Sequence, residues 1–252
     1  VACADVEQKK SDHYQKGLEY SKAANHKAAI IEFRNAIKID PKYAKARYQL
    51  GLAYLKDKQV GKALGELERA ASLNPKNTDA LIKTAEIYFL GNKLKKSREK
   101  IDKILAVDKA FSAAYGLLAQ IELKEKNIEA AEKAVGKAIE LNPENSRYHI
   151  VRARILSTAQ RNDEAEKELK KALEITPEDK YLKELAAFYV NQEKHEKAEK
   201  IFKSLIEKNP DDPGVFLDMA KFNMKIGEVK DAEKNILAAI DKKTESDKIH
   251  TL

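Results

Sequence analysis

Residues 138–143 read Ala-Ile-Glu-Leu-Asn-Pro, and residues 172–177 read Ala-Leu-Glu-Ile-Thr-Pro, so a similar segment returns after 34 residues. Proline cannot continue a helix, because it lacks the amide hydrogen and clashes with the preceding turn, so we expect each segment to end a helix. Prolines of this kind stand 34 or twice 34 residues apart, with one interval of 33 before the last: Pro41, Pro75, Pro143, Pro177 and Pro210. The spacing predicts a tandem repeat.

Two amphipathic helices fit between successive prolines, because apolar residues recur there every three or four positions. The chain therefore divides into seven repeats, preceded by residues 1–9 as an N-terminal tether and followed by residues 247–252 as a tail or the start of a further repeat. The predicted repeats are residues 10–43, 44–77, 78–111, 112–145, 146–178, 179–212 and 213–246.

Small and large residues alternate in a way that explains how the helices pack. Small residues such as Gly51 and Ala63 are expected where the two helices of one repeat touch, and large ones such as Tyr54 and Phe202 between repeats. The third repeat departs from this pattern, since Ser97 stands at one of the small positions and the closing proline is missing.

This pattern resembles the tetratricopeptide repeat family from residue 10 to about residue 245. The resemblance implies an all-α fold, a right-handed superhelical solenoid of about seven helix–turn–helix repeats. It also implies that the first helix of each repeat lines a concave surface, where a protein or peptide partner binds.

The repeat phase predicts which residues face that surface. They are apolar or aromatic in the first three repeats and become basic further along: Tyr14, Leu18, Tyr48, Leu52, Leu55, Ile82, Phe89, Arg147 and Arg154. A large exposed apolar patch normally marks a partner site. The alternative is that Tyr48, Leu52 and Phe89 only pack between neighbouring first helices.

The N-terminus carries a second signal, because the chain opens Val-Ala-Cys-Ala-Asp and Cys3 is the single cysteine. A small residue before a cysteine resembles the end of a bacterial lipoprotein signal. The resemblance implies a lipid on Cys3, an outer-membrane anchor and a periplasmic location; the alternative is a chance cysteine in a cytoplasmic protein. The whole pattern resembles, more weakly, the repeat lipoproteins that accompany exosortase and PEP-CTERM sorting.

Charge gives little support to nucleic-acid binding. The net charge is +7, but 48 basic residues are interleaved with 41 acidic ones, as expected for solvated helix faces. No stretch approaches the roughly 20 apolar residues of a membrane span, so we expect the membrane to be reached only through a lipid on Cys3.

No catalytic or cofactor motif is recognisable. The five histidines are scattered without metal-ligand spacing, and no glycine-rich phosphate loop is present. The sequence thus predicts no metal, no cofactor and no enzyme. It predicts instead a scaffold for protein interaction, in exopolysaccharide or protein export or in envelope assembly. The alternatives are a polysaccharide-binding scaffold, with Tyr14, Tyr48 and Tyr115 as stacking platforms, and a type IV pilus or secretin assembly factor.

Overall fold

The computed structural model describes residues 2–249, with side chains from residue 5 to residue 243. These residues form fourteen helices and no strand, which confirms the predicted all-α fold. The helices are α1 (Ala2–Lys22), α2 (His26–Ile39), α3 (Ala44–Lys56), α4 (Val60–Leu73), α5 (Thr78–Leu90), α6 (Leu94–Val107), α7 (Ser112–Lys124), α8 (Ile128–Leu141), α9 (Ser146–Thr158), α10 (Asn162–Ile175), α11 (Asp179–Asn191), α12 (His195–Lys208), α13 (Pro213–Ile226) and α14 (Val229–Ile249).

The chain forms two compact blocks, which we call the N-terminal block (Val1–Leu141) and the C-terminal block (Asn142–Leu252). Within each block every helix packs on the next one along the chain. The limits predicted for the seven repeats stay predictions, since helix α1 begins at Ala2, inside the predicted tether, and helix α14 runs to Ile249. The predicted lipidation site, the side chain of Cys3, lies outside the described side chains, and so does the end of the predicted tail.

The turn inside each repeat closes the first helix with a left-handed residue. In repeat 2 this residue is Lys58 (φ 59°), and the amide of Gln59 donates to the carbonyl of Tyr54 over 2.8 Å. Such a turn pairs carbonyls that a helix end would otherwise leave without a partner. The same position of all seven repeats has a positive φ, although only one of the residues is glycine: Ala24, Lys58, Asn92, Lys126, Gln160, Glu193 and Gly227.

Small residues lie where the helices of one repeat cross, as the sequence indicated. A Cβ atom added to Gly51 would lie 2.6 Å from Cγ of Leu67, and one added to Gly17 would lie 2.5 Å from the ring of Phe33. Ser97 fits the same scheme, because it is fully buried and its hydroxyl donates to the carbonyl of Ala85 over 2.8 Å. The third repeat therefore keeps a small residue at its helix crossing, with its hydroxyl paired.

Candidate partner-binding strip on the first helices

The residues predicted to face a partner lie on the first helices of successive repeats. In the N-terminal block six of them are apolar or aromatic and half-buried, and we call these six the apolar strip: Tyr14, Leu18, Tyr48, Leu52, Leu55 and Phe89. Ile82 differs, because only 5% of it is exposed and it belongs to the core shared by α4, α5, α6 and α7. Ile82 therefore leaves little surface for a partner.

The aromatic residues of the apolar strip pack against neighbouring helices with part of each ring. The ring of Tyr14 lies 5.2 Å from that of Tyr43 and 5.9 Å from that of Phe33, between centroids. Tyr48 and Phe89 pack against the core shared by α4, α5, α6 and α7. Each of these side chains thus contributes to packing and keeps an accessible portion, and its role in binding stays a prediction.

Burial also affects the tyrosines of this surface. Desolvation raises the pKa of Tyr14 and of Tyr48 further above an ordinary value at which a phenol is already protonated at neutral pH. The nearest charges are modest in number: Lys83 pairs with Glu86 over 2.7 Å, and Nζ of Lys124 lies 5.3 Å from the ring centroid of Phe89. The apolar strip is therefore an aromatic and aliphatic surface with charge at its margin.

The corresponding surface of the C-terminal block is paired and polar. Arg147 and Arg154 are both exposed, and Arg154 forms an ion pair with Glu184 on α11. Lys183 pairs with Asp218 on α13 over 2.7 Å. Carboxylates of the next repeat therefore offset the charges of Arg154 and Lys183 on the predicted basic part of this surface.

The acidic partners Glu184 and Asp218 are not apparent from the basic residues of the sequence alone. Glu184 follows Arg154 by 30 residues, close to one repeat length, and Asp218 follows Lys183 by 35. Opposite charges at about one repeat length were the signal that could have found them. Arg154 and Glu184 also border a cleft of about 280 Å³, which is lined in addition by Phe188 and Asn191.

Tyr115, the third proposed stacking platform, does not join Tyr14 and Tyr48. Its hydroxyl donates to the carbonyl of Lys109 over 3.2 Å, and its ring borders a cavity of about 680 Å³ between α7 and α8. Leu118 and Ala134 line the same cavity. Tyr115 therefore borders the space between the two helices of its own repeat, and its role as a stacking platform stays a prediction.

The described side chains contain no group of three or more His, Cys, Asp or Glu residues placed to hold a metal. None of the described helices is both long and apolar enough to cross a bilayer. Two histidines have carboxylate partners: Nδ1 of His13 lies 2.6 Å from Glu32, and Nδ1 of His149 lies 2.7 Å from Glu168. Both contacts join the two helices of one repeat.

Comparison with known families gives repeat matches along most of the chain. A family described as tetratricopeptide repeat matches residues 54–121, 122–187 and 189–252, and one described as TPR repeat matches residues 17–58. No curated protein sequence is significantly similar to the chain.

Solved structures with the same repeat architecture are numerous. A tetratricopeptide repeat protein from Parabacteroides merdae superposes with a TM-score of 0.77 at 16% identity, over 93% of each chain. PilW, described as a widely conserved type IV pilus biogenesis factor, gives 0.70 at 19% identity, over 80% of this chain and 94% of its own. PilF of Pseudomonas aeruginosa gives 0.66 at 17% identity, over 82% and 94%. These identities establish a shared fold.

Proposed function

The chain belongs to the tetratricopeptide repeat family, and on this premise we propose that its apolar strip binds an extended segment of a partner protein. Proteins of this family bind peptides or proteins, and the fold is generally a non-catalytic scaffold. One observation carries the proposal: six half-buried apolar or aromatic side chains recur on three successive first helices.

The spacing of the helices indicates what the segment should look like. Packed helices lie roughly 8–10 Å apart, and an extended chain advances about 3.3 Å per residue. One repeat therefore matches about three residues of partner. We expect a partner segment with an apolar side chain at about every third position and with small or polar residues between, because the helices that carry the strip are spaced by about that length of extended chain.

A direct test uses a fluorescein-labelled peptide of about 12 residues, with Leu or Phe at every third position and Ser elsewhere. Leu52→Lys should weaken binding at least tenfold, because it places a charge amid desolvated apolar contacts. Leu90→Lys is the matched control, since Leu90 is 81% exposed and lies outside the strip. Fluorescence polarisation gives both affinities, and circular dichroism checks that each variant is folded.

Equal affinity of the two variants would exclude the apolar strip as the binding surface. A peptide of the same composition, with its apolar residues clustered at one end, tests the spacing separately. If the clustered peptide binds as tightly as the regular one, the predicted match of about three partner residues to one repeat is wrong, even though the apolar strip is the binding surface.

The cellular setting is a further part of the proposal. The Ala-Cys sequence at residues 2–3 supports a periplasmic lipoprotein, anchored at the outer membrane through Cys3, that serves exopolysaccharide or protein export. Labelling the full-length precursor with a palmitate analogue tests this, with Cys3→Ser as the control. Absence of Cys3-dependent label, together with recovery in the cytosol, would contradict the anchor.

A role in type IV pilus or secretin assembly is the second candidate, supported by the likeness in fold to PilW and PilF. Loss of surface pili on deletion of the gene, restored by the wild-type chain, would favour it. A polysaccharide ligand is the remaining alternative. Titration with glycan fragments, comparing wild type with Tyr48→Ala, would exclude it if no binding occurs at millimolar concentration.

A further inference from the structure

His149 joins three parts of the C-terminal block. It lies on α9 with only 8% of its side chain exposed. Its Nδ1 atom is 2.7 Å from Oε2 of Glu168 on α10, and its Nε2 atom is 3.0 Å from the carbonyl oxygen of Pro143, in the loop before α9. Both partners are hydrogen-bond acceptors. The ring can donate to both only when both nitrogens carry a proton, which makes it a cation.

Repeat 2 builds the same contact with a permanent cation. Arg47 stands six residues after Pro41, as His149 does after Pro143, and its Nε and Nη2 atoms donate to the Pro41 carbonyl over 2.9 and 2.7 Å. Its Nη1 atom donates to Glu66 over 2.6 Å, again 19 residues further along the chain. Two repeats therefore tie the proline loop to the second helix through one side chain, and they differ in whether that side chain can lose its charge.

We propose that His149 is a pH-dependent clasp, which holds the loop of residues 142–145 on α9 and α10 when protonated and releases the Pro143 carbonyl when neutral. A neutral ring has one N–H and can donate to only one of its two acceptors. The loop concerned is the segment with which the C-terminal block begins. The device thus acts at the start of that block.

The charges around the ring favour the protonated form. Glu168 faces it from α10 and favours the cation, whereas Arg152 on α9 opposes it. Nη1 of Arg152 lies 3.5 Å from the second oxygen of Glu168, so Glu168 pairs with Arg152 as well as with the ring. The loop contributes the uncharged Pro143 carbonyl.

The hydrogen bond to Glu168 is the largest effect on the ring, and it raises the pKa of His149 above its ordinary value although burial acts in the other direction. A group with a raised pKa in the folded state stabilises fully below its unfolded pKa of about 6.5, and the contribution is lost as pH rises through the folded value. The clasp should therefore be closed below the unfolded pKa and open progressively as pH rises through the raised pKa of the folded state.

Amide hydrogen exchange followed by NMR tests the clasp in the intact chain. The amide of Asn145 donates to the carbonyl of Asn142 within the loop. Its protection factor, corrected for intrinsic exchange, should fall roughly tenfold between pH 6 and pH 9, the size expected for one lost charge-assisted hydrogen bond. The amide of Tyr43, in the Arg47 loop, is the internal control and should show no such fall.

Two variants sharpen the result. His149→Arg copies repeat 2 and should make the protection of Asn145 independent of pH, whereas His149→Gln should leave it low throughout. A direct ¹⁵N titration of the wild-type ring serves if either variant fails to fold, and it should show two protonated nitrogens at pH 6. A ring that is neutral at pH 6, or an Asn145 protection factor that is constant with pH in wild type, would overturn the proposal.

Discussion

The first helices of the N-terminal and C-terminal blocks occupy equivalent repeat positions but carry different surfaces. In the N-terminal block those positions hold aromatic and aliphatic residues such as Tyr48 and Leu52, half-buried and uncharged. In the C-terminal block they hold Arg154 and Lys183, each paired with a carboxylate of the next repeat. Exposed apolar side chains can still gain burial by contacting another protein, whereas the charges of Arg154 and Lys183 are already neutralised within the chain. This contrast is the reason why the proposed binding surface lies in the N-terminal block.

The two blocks nevertheless share one core pattern beneath these surfaces. Leu67 and Leu169 occupy the same position of the second helix in repeats 2 and 5, and both are buried. The comparison therefore predicts that core substitutions affect the blocks alike, while surface substitutions do not. Four predictions, from the largest expected effect to the smallest, test that separation.

The largest effect is expected from Leu67→Ala and Leu169→Ala. Each should lower the free energy of unfolding by about 2–5 kcal/mol, through lost apolar burial and the cavity left behind. Urea denaturation measures both, with the exposed Leu90→Ala as the control at within about 0.5 kcal/mol. If one substitution lowers the free energy of unfolding several times more than the other, the two blocks do not have the same core pattern.

The second prediction concerns the helix crossing of repeat 2, where Gly51 stands at the position that Ala153 occupies in repeat 5 of the C-terminal block. Gly51→Val should cost about 1–3 kcal/mol, because the new side chain meets the buried Leu67. Gly65→Ala, on α4, meets no atom within 4 Å and should instead stabilise by up to about 1 kcal/mol. Thermal melts of the two variants should therefore shift in opposite directions.

The third prediction concerns acid stability in the C-terminal block. Hydrogen bonds from Lys170 first, and then from Tyr189 and Lys194, lower the pKa of Glu166 to about 2. A lowered folded pKa stabilises above the unfolded value of about 4.5, and this contribution disappears as pH falls toward 2. Glu166→Gln should cost about 1–2 kcal/mol at pH 7 and nothing near pH 2.

Urea denaturation at several pH values measures this difference. Glu174→Gln on the same helix is the control, because the Glu174 side chain is 69% exposed and its pair with Lys171 is long, at 3.6 Å. A cost of Glu166→Gln that stays constant down to pH 2 would contradict the assigned role of the carboxylate.

The smallest effect is expected from Arg154→Ala. The Arg154 side chain is 52% exposed, and exposed ion pairs contribute at most about 1 kcal/mol. Added salt should remove most of this contribution to stability, because salt screens exposed charges. Peptide affinity at the apolar strip should not change in this variant. A tenfold loss of affinity would move the binding surface into the C-terminal block.

The repeat was predictable because its signals are local. Proline spacing and small residues at fixed positions depend only on helix geometry, so the helix pairs and the crossings at Gly17 and Gly51 followed from the sequence. The burial of Ile82 and the pairing of Arg154 with Glu184 did not, because both depend on how far apart neighbouring first helices lie. The division into two blocks, between Leu141 and Asn142, could not be predicted either, because the 34-residue spacing continues unchanged across it.

The clasp was missed for a related reason. The histidines show no metal-ligand spacing in the sequence, whereas His149 matters through its match in repeat position to Arg47. Aligning the repeats with one another would have placed the two residues in one column, with a proline six residues before and a glutamate 19 residues after each. Comparison of a chain with itself thus supplies some of the information that comparison among relatives usually gives.

The left-handed turns leave room for protein engineering. Six of the seven residues at that turn position carry a side chain although φ is positive, and a left-handed conformation costs an L-residue about 1–2 kcal/mol relative to glycine. Replacing such a residue by glycine removes this strain, but part of the stabilisation is offset because glycine increases the conformational freedom of the unfolded chain. Each turn is thus an independent point at which thermal resistance can be raised in small steps, without touching either the apolar strip or the His149 clasp.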